Sequence, residues 1–312
     1  MLGIRPDRAG IVKKHMRESD QAAPSSTKAS GPGGLFLVGT PIGNLEDMTL
    51  RALRTLREAD LIACEDTRQT QKLLNHFGIG TRTTSYHEHN EDAKAAELVR
   101  RMEEGIRIAL VTDAGMPGIS DPGYRLVELA IRRGIPVTPV PGPSAAVAAL
   151  AVSGLPTHTF QFVGFLPPKQ TQRRRLLERL GASPVTTVAF ESPRRILAAL
   201  RDIRAVLGER PVAVAREMTK LHEEFLRGTC SEVIATLEQR PKVPGEITLI
   251  LAAGQAGGAA SGQASEAVRE LPIKERVQEL MEQRAMSRME ALKIIARERG
   301  ISKSEAYRQF ES

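Results

Sequence analysis

The sequence predicts an α/β protein of two mixed α/β domains followed by a small helical unit. Three observations predict it. Short apolar runs alternate with amphipathic stretches from Gly34 to Ala252, and strands alternating with helices imply mainly parallel sheets covered on both faces. Ser153-Gly154-Leu155-Pro156 punctuates that alternation and suits an interdomain hinge. A stretch rich in Gly, Ala and Ser, residues 254–265, then separates it from a purely helical pattern. The expected organisation is a flexible tail over residues 1–33, α/β domains over 34–153 and 157–253, a linker, and a helix-turn-helix-like unit over 266–312.

The elements follow in chain order. Leu35–Val38 is an apolar run ending at Gly39 and reads as a buried strand. Thr49–Ala59 carries Leu50, Leu53 and Leu56 at helical spacing. Leu61–Cys64 is a second strand, and Thr67–Phe77 a helix that stops at Gly78. Glu91–Glu104 is a helix closed by Gly105, Ile108–Thr112 a strand, Tyr124–Arg133 a helix closed by Gly134, and Val137–Val140 a strand. Ser144–Val152 is a helix of small residues. In the second half, Phe160–Phe165, Thr186–Phe190, Val212–Arg216 and Ile247–Ala252 read as strands. Gln172–Leu180, Arg194–Leu207 and Cys230–Gln239 read as helices. Near the end, Val277, Leu280 and Met281 share one helical face, and Ala291, Leu292, Ile294 and Ile295 another. Gly300 breaks that helix before a third over Ser302–Phe310.

Composition narrows the function classes. The chain has 312 residues, 26 % of them charged, and no apolar run approaching a membrane span; the longest, Ala145–Val152, is roughly a third of one. Cys64 and Cys230 are far apart and form no C-x-x-C pair, which fits a reducing cytoplasm better than a disulfide scaffold. The tail lacks the apolar core of a secretory signal, and Asp7, Glu18 and Asp20 count against an organellar leader. The net charge of +7 suits a polyanionic partner, though such an excess is common in proteins that bind no nucleic acid. Neither G-x-G-x-x-G nor G-x-x-x-x-G-K-[ST] occurs. Gly142–Ala146 resembles a nucleophile elbow, but Ala146 replaces the second glycine. His87, Glu88 and His89 lack H-E-x-x-H spacing; on one strand the two histidines would share a face, but no third ligand is evident, and no metal is expected.

Four loops carry the chemistry-bearing residues, each after an apolar strand, where open α/β sheets bind ligands. They are Gly39–Asn44, Glu65–Arg68, Asp113–Gly123 and Pro141–Ser144. The third holds three glycines and two prolines in eleven residues. Glycine lets backbone approach a ligand and proline removes alternative conformations; the loop's carboxylates, Asp113 and Asp121, could hold a cation or an amine. Glu65 and Asp66 follow a buried strand directly, where Asp66 or Thr67 suits a helix cap and a carboxylate suits a general base. Tyr86–Glu91 is dense in polar groups, and Arg216–Lys220 follows another strand, as a salt-bridged helix start or as a site. Lys169, Arg173, Arg174 and Arg175, with Arg194 and Arg195, read either as a solvated face or as a track for RNA phosphates.

Seven motifs in this order resemble the tetrapyrrole-methylase superfamily of S-adenosyl-L-methionine (AdoMet) enzymes, also termed class III AdoMet methyltransferases. They are Leu37–Asp47 (LVGTPIGNLED), Cys64–Arg68 (CEDTR), Ser85–Asn90 (SYHEHN), Thr112–Gly123 (TDAGMPGISDPG), Pro141–Ser144 (PGPS), Phe190–Arg195 (FESPRR) and Arg216–Lys220 (REMTK). More closely, they are similar to the bacterial branch that methylates a cytidine ribose 2′-hydroxyl of 16S rRNA. Thr112–Gly115 stands where tetrapyrrole enzymes carry a Gly-Gly-Asp-Pro type run, which favours the RNA branch. The resemblance spans Gly34 to about Ala253, and the terminal helices look like that branch's helical appendage. It implies AdoMet held in a cleft between two α/β domains, a homodimer, and a small-ribosomal-subunit target, cytidine 1402 of the decoding centre. It also places Pro41, Asp113, Gly115, Ile119, Ser144, Ala145, Phe190 and Met218 near the cofactor. A ribose hydroxyl is a weak nucleophile that gains from a base, and Glu65, His87 and Glu217 are the candidates. Two other readings stay open. A tetrapyrrole methylase of the same fold would need an apolar cleft, against the basic Lys169–Arg179 stretch and 4 % aromatics. A non-catalytic rRNA-binding protein would lack the stacking motifs of common RNA modules here.

Overall fold

A computed structural model describes residues 33–181, 183–254, 272–284, 287–299 and 301–311. The expected tail up to residue 32 and nearly all of the expected linker lie outside the described residues. The chain divides into two units: the residues up to Val152 with Ala215–Phe225 and Gly245–Thr248, and Ser153–Val214 with Leu226–Pro244 and the remainder from Leu249.

The first unit is built on β1 (Gly34–Val38), α1 (Leu50–Glu58), β2 (Leu61–Cys64), α2 (Thr67–His76), β3 (Thr83–Ser85), α3 (Glu91–Glu103), β4 (Arg107–Val111), α4 (Tyr124–Arg132), β5 (Val137–Val140) and α5 (Ala145–Ala151). Its five strands run parallel in the order β3-β2-β4-β1-β5. The near-continuous apolar runs of β1, β2 and β4 follow from burial on both faces. Alternate residues split between two cores: Leu35, Leu61, Ala63, Ile108 and Leu110 pack with α3 and α4. Val38, Ile62, Cys64, Ala109 and Val111 pack with α1 and α2.

That split follows from strand order. The crossovers β1 to β2 and β2 to β3 step one way along the sheet, and β3 to β4 and β4 to β5 step the other way. Right-handed crossovers then put α1 and α2 on one face and α3 and α4 on the opposite one. So β4 sends its chain to one face while its neighbours β1 and β2 send theirs to the other. Crevices at such switch points are where α/β sheets hold ligands.

Two sequence expectations need correction. The sequence pattern did not reveal β3, a polar Thr-Thr-Ser strand at the sheet edge. His87 and His89 do not share a strand: they lie in the turn before α3, where the His87 N–H donates to Asn90 Oδ1 at 2.9 Å.

The second unit is built on β6 (Phe160–Phe165), α6 (Gln170–Gly181), β7 (Thr186–Glu191), α7 (Ile196–Leu207), β8 (Pro211–Arg216), β9 (Glu224–Thr229), α8 (Cys230–Glu238) and β10 (Ile247–Leu251), of which the end of β8 and the starts of β9 and β10 group with the first unit. Its sheet order is β6-β7-β10-β8-β9. The sequence missed β9, again an edge strand with mixed polarity. A capping box between Thr229 and Glu232 starts α8. Arg173 is a further correction. It is not a phosphate contact on a solvated face but 3 % exposed, and its Nη2 donates to Asp202 Oδ2 at 2.6 Å. The physical reason is helical phase: Arg173, Leu177 and Leu180 form the buried stripe of α6.

At the end of the chain, α9 (Ile273–Arg284), α10 (Arg288–Arg299) and α11 (Lys303–Glu311) enclose their own apolar cluster, with Val277, Leu280, Ala291, Leu292 and Ile295 inside it. Among the described residues no helix is long and apolar enough to cross a membrane.

Candidate functional site

The first unit holds a cleft of about 430 Å³ beside the carboxyl ends of β1 and β4, lined by Ile42, Gln69, Lys72, Leu73, Thr112 and Lys220 among others. Its floor is stiff for local reasons. Thr40 and Gly115 form an antiparallel bridge, N–H to C=O at 2.9 Å one way and 3.1 Å the other. The Thr40 hydroxyl donates to the Thr112 carbonyl at 3.1 Å. Gly115 has φ +86°, a left-handed conformation that glycine adopts without Cβ strain. Gly39 meets Gly142 so closely that a Cβ on Gly39 would lie 2.8 Å from Gly142 Cα and from Met116 Sδ. The loops after β1, β4 and β5 are therefore packed backbone to backbone.

Acidic side chains collect above β2 and β4. Asp66 caps α2 and receives Arg68, whose hydrogen bonds hold its carboxyl down at about 2. The others shift the opposite way. Burial pushes the Glu65 carboxyl up, reinforced by the charge of Asp113. Burial does the same to Asp113. Burial, then repulsion from Glu65 and Asp113, carries Asp121 up to about 7. Crowded, partly desolvated carboxylates of this kind favour a cation as neighbour. Among the described residues no group of three His, Cys, Asp or Glu could hold a metal ion.

A strained turn closes another side. Glu217 and Thr219 have φ of +50° and +66°, costly for residues with a Cβ. The Glu217 carboxylate fixes the turn by accepting from Lys220 Nζ and from the Glu246 N–H, each at 2.9 Å. Lys220 Nζ also reaches Glu246 at 3.1 Å. The Lys220 bond keeps the Glu217 carboxyl below its ordinary value, so it is a weak proton acceptor. The hydroxyls of Thr112 and Thr219 are buried without a hydrogen-bond partner. Buried orphans of this kind are uncommon and mark places that a ligand or water can satisfy.

The residues expected from the sequence distribute as follows. Pro41 and Asp113 line the cleft. Gly115 forms the bridge, Ile119 is exposed, and Met218 is buried between the two strained residues. Ser144 caps α5, its hydroxyl accepting from Val147 N–H at 3.5 Å, and Ala145 opens that helix. In the second unit, Phe190 packs its ring against Phe162 and Phe165 at 5.0 and 5.4 Å. Glu65 lies among the carboxylates. His87 lies in the turn just past β3, the strand paired with β2, its Nε2 3.3 Å from Asn90 Nδ2 and its Nδ1 buried without a partner. Lys169, Arg175 and Arg194 are exposed, whereas Arg174 and Arg195 are tied to Asp202 and Glu191. Lys220, the last residue of the Arg216–Lys220 motif, lines the cleft, as do Gln69, Lys72 and Glu246, which the sequence pattern does not single out. The signal for Gln69 and Lys72 was present as i, i+3 spacing on α2, directly after the Cys64–Arg68 motif.

Comparison with known proteins agrees with this architecture. Residues 34–234 match the family model "Tetrapyrrole (Corrin/Porphyrin) Methylases". The chain is 55 % identical over 219 residues to "Ribosomal RNA small subunit methyltransferase I" of Halalkalibacterium halodurans, covering 70 % of this chain and 75 % of that one. It is 54 % identical to the protein of the same name from Thermotoga maritima, covering 70 % and 98 %. A crystal structure of diphthine synthase matches with a TM-score of 0.53 at 17 % identity, over 70 % of this chain and 89 % of the other, a likeness of fold alone. On the family model and these relatives, the chain belongs to the tetrapyrrole (corrin/porphyrin) methylase family.

Proposed function

We propose that the protein transfers a methyl group from AdoMet to the ribose 2′-hydroxyl of a cytidine in 16S rRNA, cytidine 1402 of the decoding centre. The observation that carries this reading is the bridged β4–α4 loop, stiff in backbone and acidic in side chain, at a switch point of the sheet. The relatives' shared name supports an rRNA substrate.

The residues present fit the cofactor. A sulfonium and its amino group are cationic, which matches Asp113 and Asp121, whose charged forms are disfavoured until a cation arrives. Pro41, Gly115, Ile119, Ser144, Ala145 and Met218 would bind and orient the donor, and Phe190 is the one expected cofactor residue of the second unit. Bound AdoMet supplies an electrophilic methyl group. What the chain supplies is alignment, worth several kcal/mol when reacting atoms are held in line, and a proton acceptor. Glu65 suits that role best: burial raises its basicity and leaves it nearer to neutral pH than an exposed glutamate. Glu217 is occupied by Lys220 and Glu246, which leaves it as a clamp.

We further propose a cytoplasmic homodimer, with Lys169, Arg175 and Arg194 meeting rRNA phosphates. Light scattering of the purified protein measures the oligomeric state. The deciding experiment is transfer of labelled methyl from AdoMet to small subunits lacking the modification, followed by mass mapping of the product. Product ribose-methylated at a cytidine is expected; a 2′-deoxy target that is methylated as well as the ribose would refute the reading.

A further inference from the structure

We propose that the cleft beside α2 is the seat of the target nucleoside itself, drawn out of the RNA, and that Gln69 reads its base. The inference rests on the RNA-methylation reading above. A methyl transfer needs two adjoining seats, one for donor and one for acceptor. The residues expected at the donor divide sharply: Gly115, Ile119, Ser144 and Ala145 do not line the cleft, and only Pro41 and Asp113 do. Strand order explains the division. Ser144 and Ala145 follow β5 at one edge of the sheet, whereas the cleft faces α2, which follows β2 on the other side of β4. Pro41 and Asp113 thus sit at the boundary of two seats.

The cleft has the properties of an acceptor site. At about 430 Å³ it falls within the roughly 300–1,000 Å³ of small-ligand clefts. Enzymes that modify nucleotides often take the target out of its stack into such a pocket and read its hydrogen-bonding edge. Ile42 and Leu73 supply apolar walls for a base, and the buried Thr112 hydroxyl lacks a partner at the same wall. Gln69 carries both an amide donor and an acceptor, the groups that read a base edge bidentately. Lys72 Nζ donates to Gln69 Oε1 at 3.0 Å, so the amide is oriented and a cation stands beside it for a phosphate. Gln69 and Lys72 are otherwise exposed on α2.

The sequence contains no tryptophan, so Gln69→Trp both narrows the cleft and adds a single emission probe of folding. Full-length parent and variant are compared for AdoMet affinity by calorimetry and for methyl transfer to undermethylated small subunits. The expected result is AdoMet affinity within twofold of the parent and transfer reduced at least tenfold. Gln69→Ala, which keeps the exposed helix position intact, should raise the KM for subunits about tenfold and leave AdoMet affinity unchanged. Loss of AdoMet affinity in either variant would assign the cleft to the donor and overturn the proposal. Parental transfer by both variants would overturn it as well. A parent protein that binds no AdoMet would instead refute the methyltransferase reading on which the proposal rests.

Discussion

Asp202→Ala should be among the most destabilising single substitutions in the second unit. Asp202 is 1 % exposed and accepts four hydrogen bonds: from Gln170 Nε2 at 2.9 Å, Arg173 Nε at 2.9 Å, Arg173 Nη2 at 2.6 Å and Arg174 Nε at 2.7 Å. Removing it leaves the buried Arg173 guanidinium with only the Pro167 and Pro168 carbonyls, at 3.1 and 3.3 Å. Removing one partner of a buried pair costs about 3–5 kcal/mol, because the remaining charge is uncompensated. At about 2–4 °C per kcal/mol for a protein of this size, the melting temperature should fall by about 6–20 °C. Arg173→Ala should cost less, since Asp202 keeps Arg174 and Gln170. The double variant Arg173→Met, Asp202→Leu should recover most of the loss, as apolar replacement of a buried pair is often neutral. Burial alone would push the Asp202 carboxyl up, but its bonds to Arg174, Arg173 and Gln170 carry it below its ordinary value. Its contribution is therefore full above about pH 4 and lost as acidity passes below that, so parent and Asp202→Ala should converge there. Thermal and urea unfolding measure all of this. If Asp202→Ala melts with the parent while Arg173→Ala loses RNA affinity, the structural assignment of Arg173 is wrong.

Other substitutions probe the first unit. Gly39→Ala forces a Cβ against Gly142 backbone at 2.8 Å, which should cost about 1–3 kcal/mol and weaken AdoMet binding in calorimetry. Thr112→Val replaces a hydroxyl that has no partner, so stability should hold or rise slightly while ligand affinity falls, because no hydrogen bond within the protein is lost. Glu217→Gln removes the charge that holds Lys220. It should cost about 1–3 kcal/mol and leave the pH–rate profile unchanged; loss of an acidic limb, the fall in rate as a base is protonated, would restore Glu217 as the proton acceptor.

Much of the fold is legible because its central strands are buried on both faces. β1, β2 and β4 then read as plain apolar runs, and glycines mark the ends of the helices between them. Edge strands do not read this way: β3 and β9 carry Thr-Thr-Ser and Glu-Phe-Leu-Arg-Gly-Thr, which need no apolar pattern because one side is open. The site was legible where backbone chemistry shapes it, in the glycines and prolines of Asp113–Gly123. It was not legible where an ordinary helix face turns towards a cleft, as at Gln69 and Lys72, since such residues look like any solvated face. Arg173 shows the reverse error: within three consecutive arginines, only its phase with Leu177 and Leu180 separates a buried ion pair from a phosphate contact.

The carboxylates of the first unit permit one test that does not depend on turnover. Asp121 has its carboxyl pushed up to about 7 by burial and by Glu65 and Asp113, so near pH 7 it is half protonated in the free protein. A bound cation favours the charged form and lowers that value. AdoMet binding near pH 7 should therefore release part of a proton, and the calorimetric binding enthalpy should vary with the ionisation enthalpy of the buffer. The release should fade by about pH 9, where the group is already charged. Asp121→Asn should abolish the buffer dependence. The same substitution should raise the melting temperature of the ligand-free protein at pH 8 but not at pH 4. A carboxyl raised on folding disfavours the native state only as pH climbs from its unfolded value through its folded one. If the enthalpy is independent of buffer near neutrality, the cation does not meet these carboxylates and the donor seat lies elsewhere.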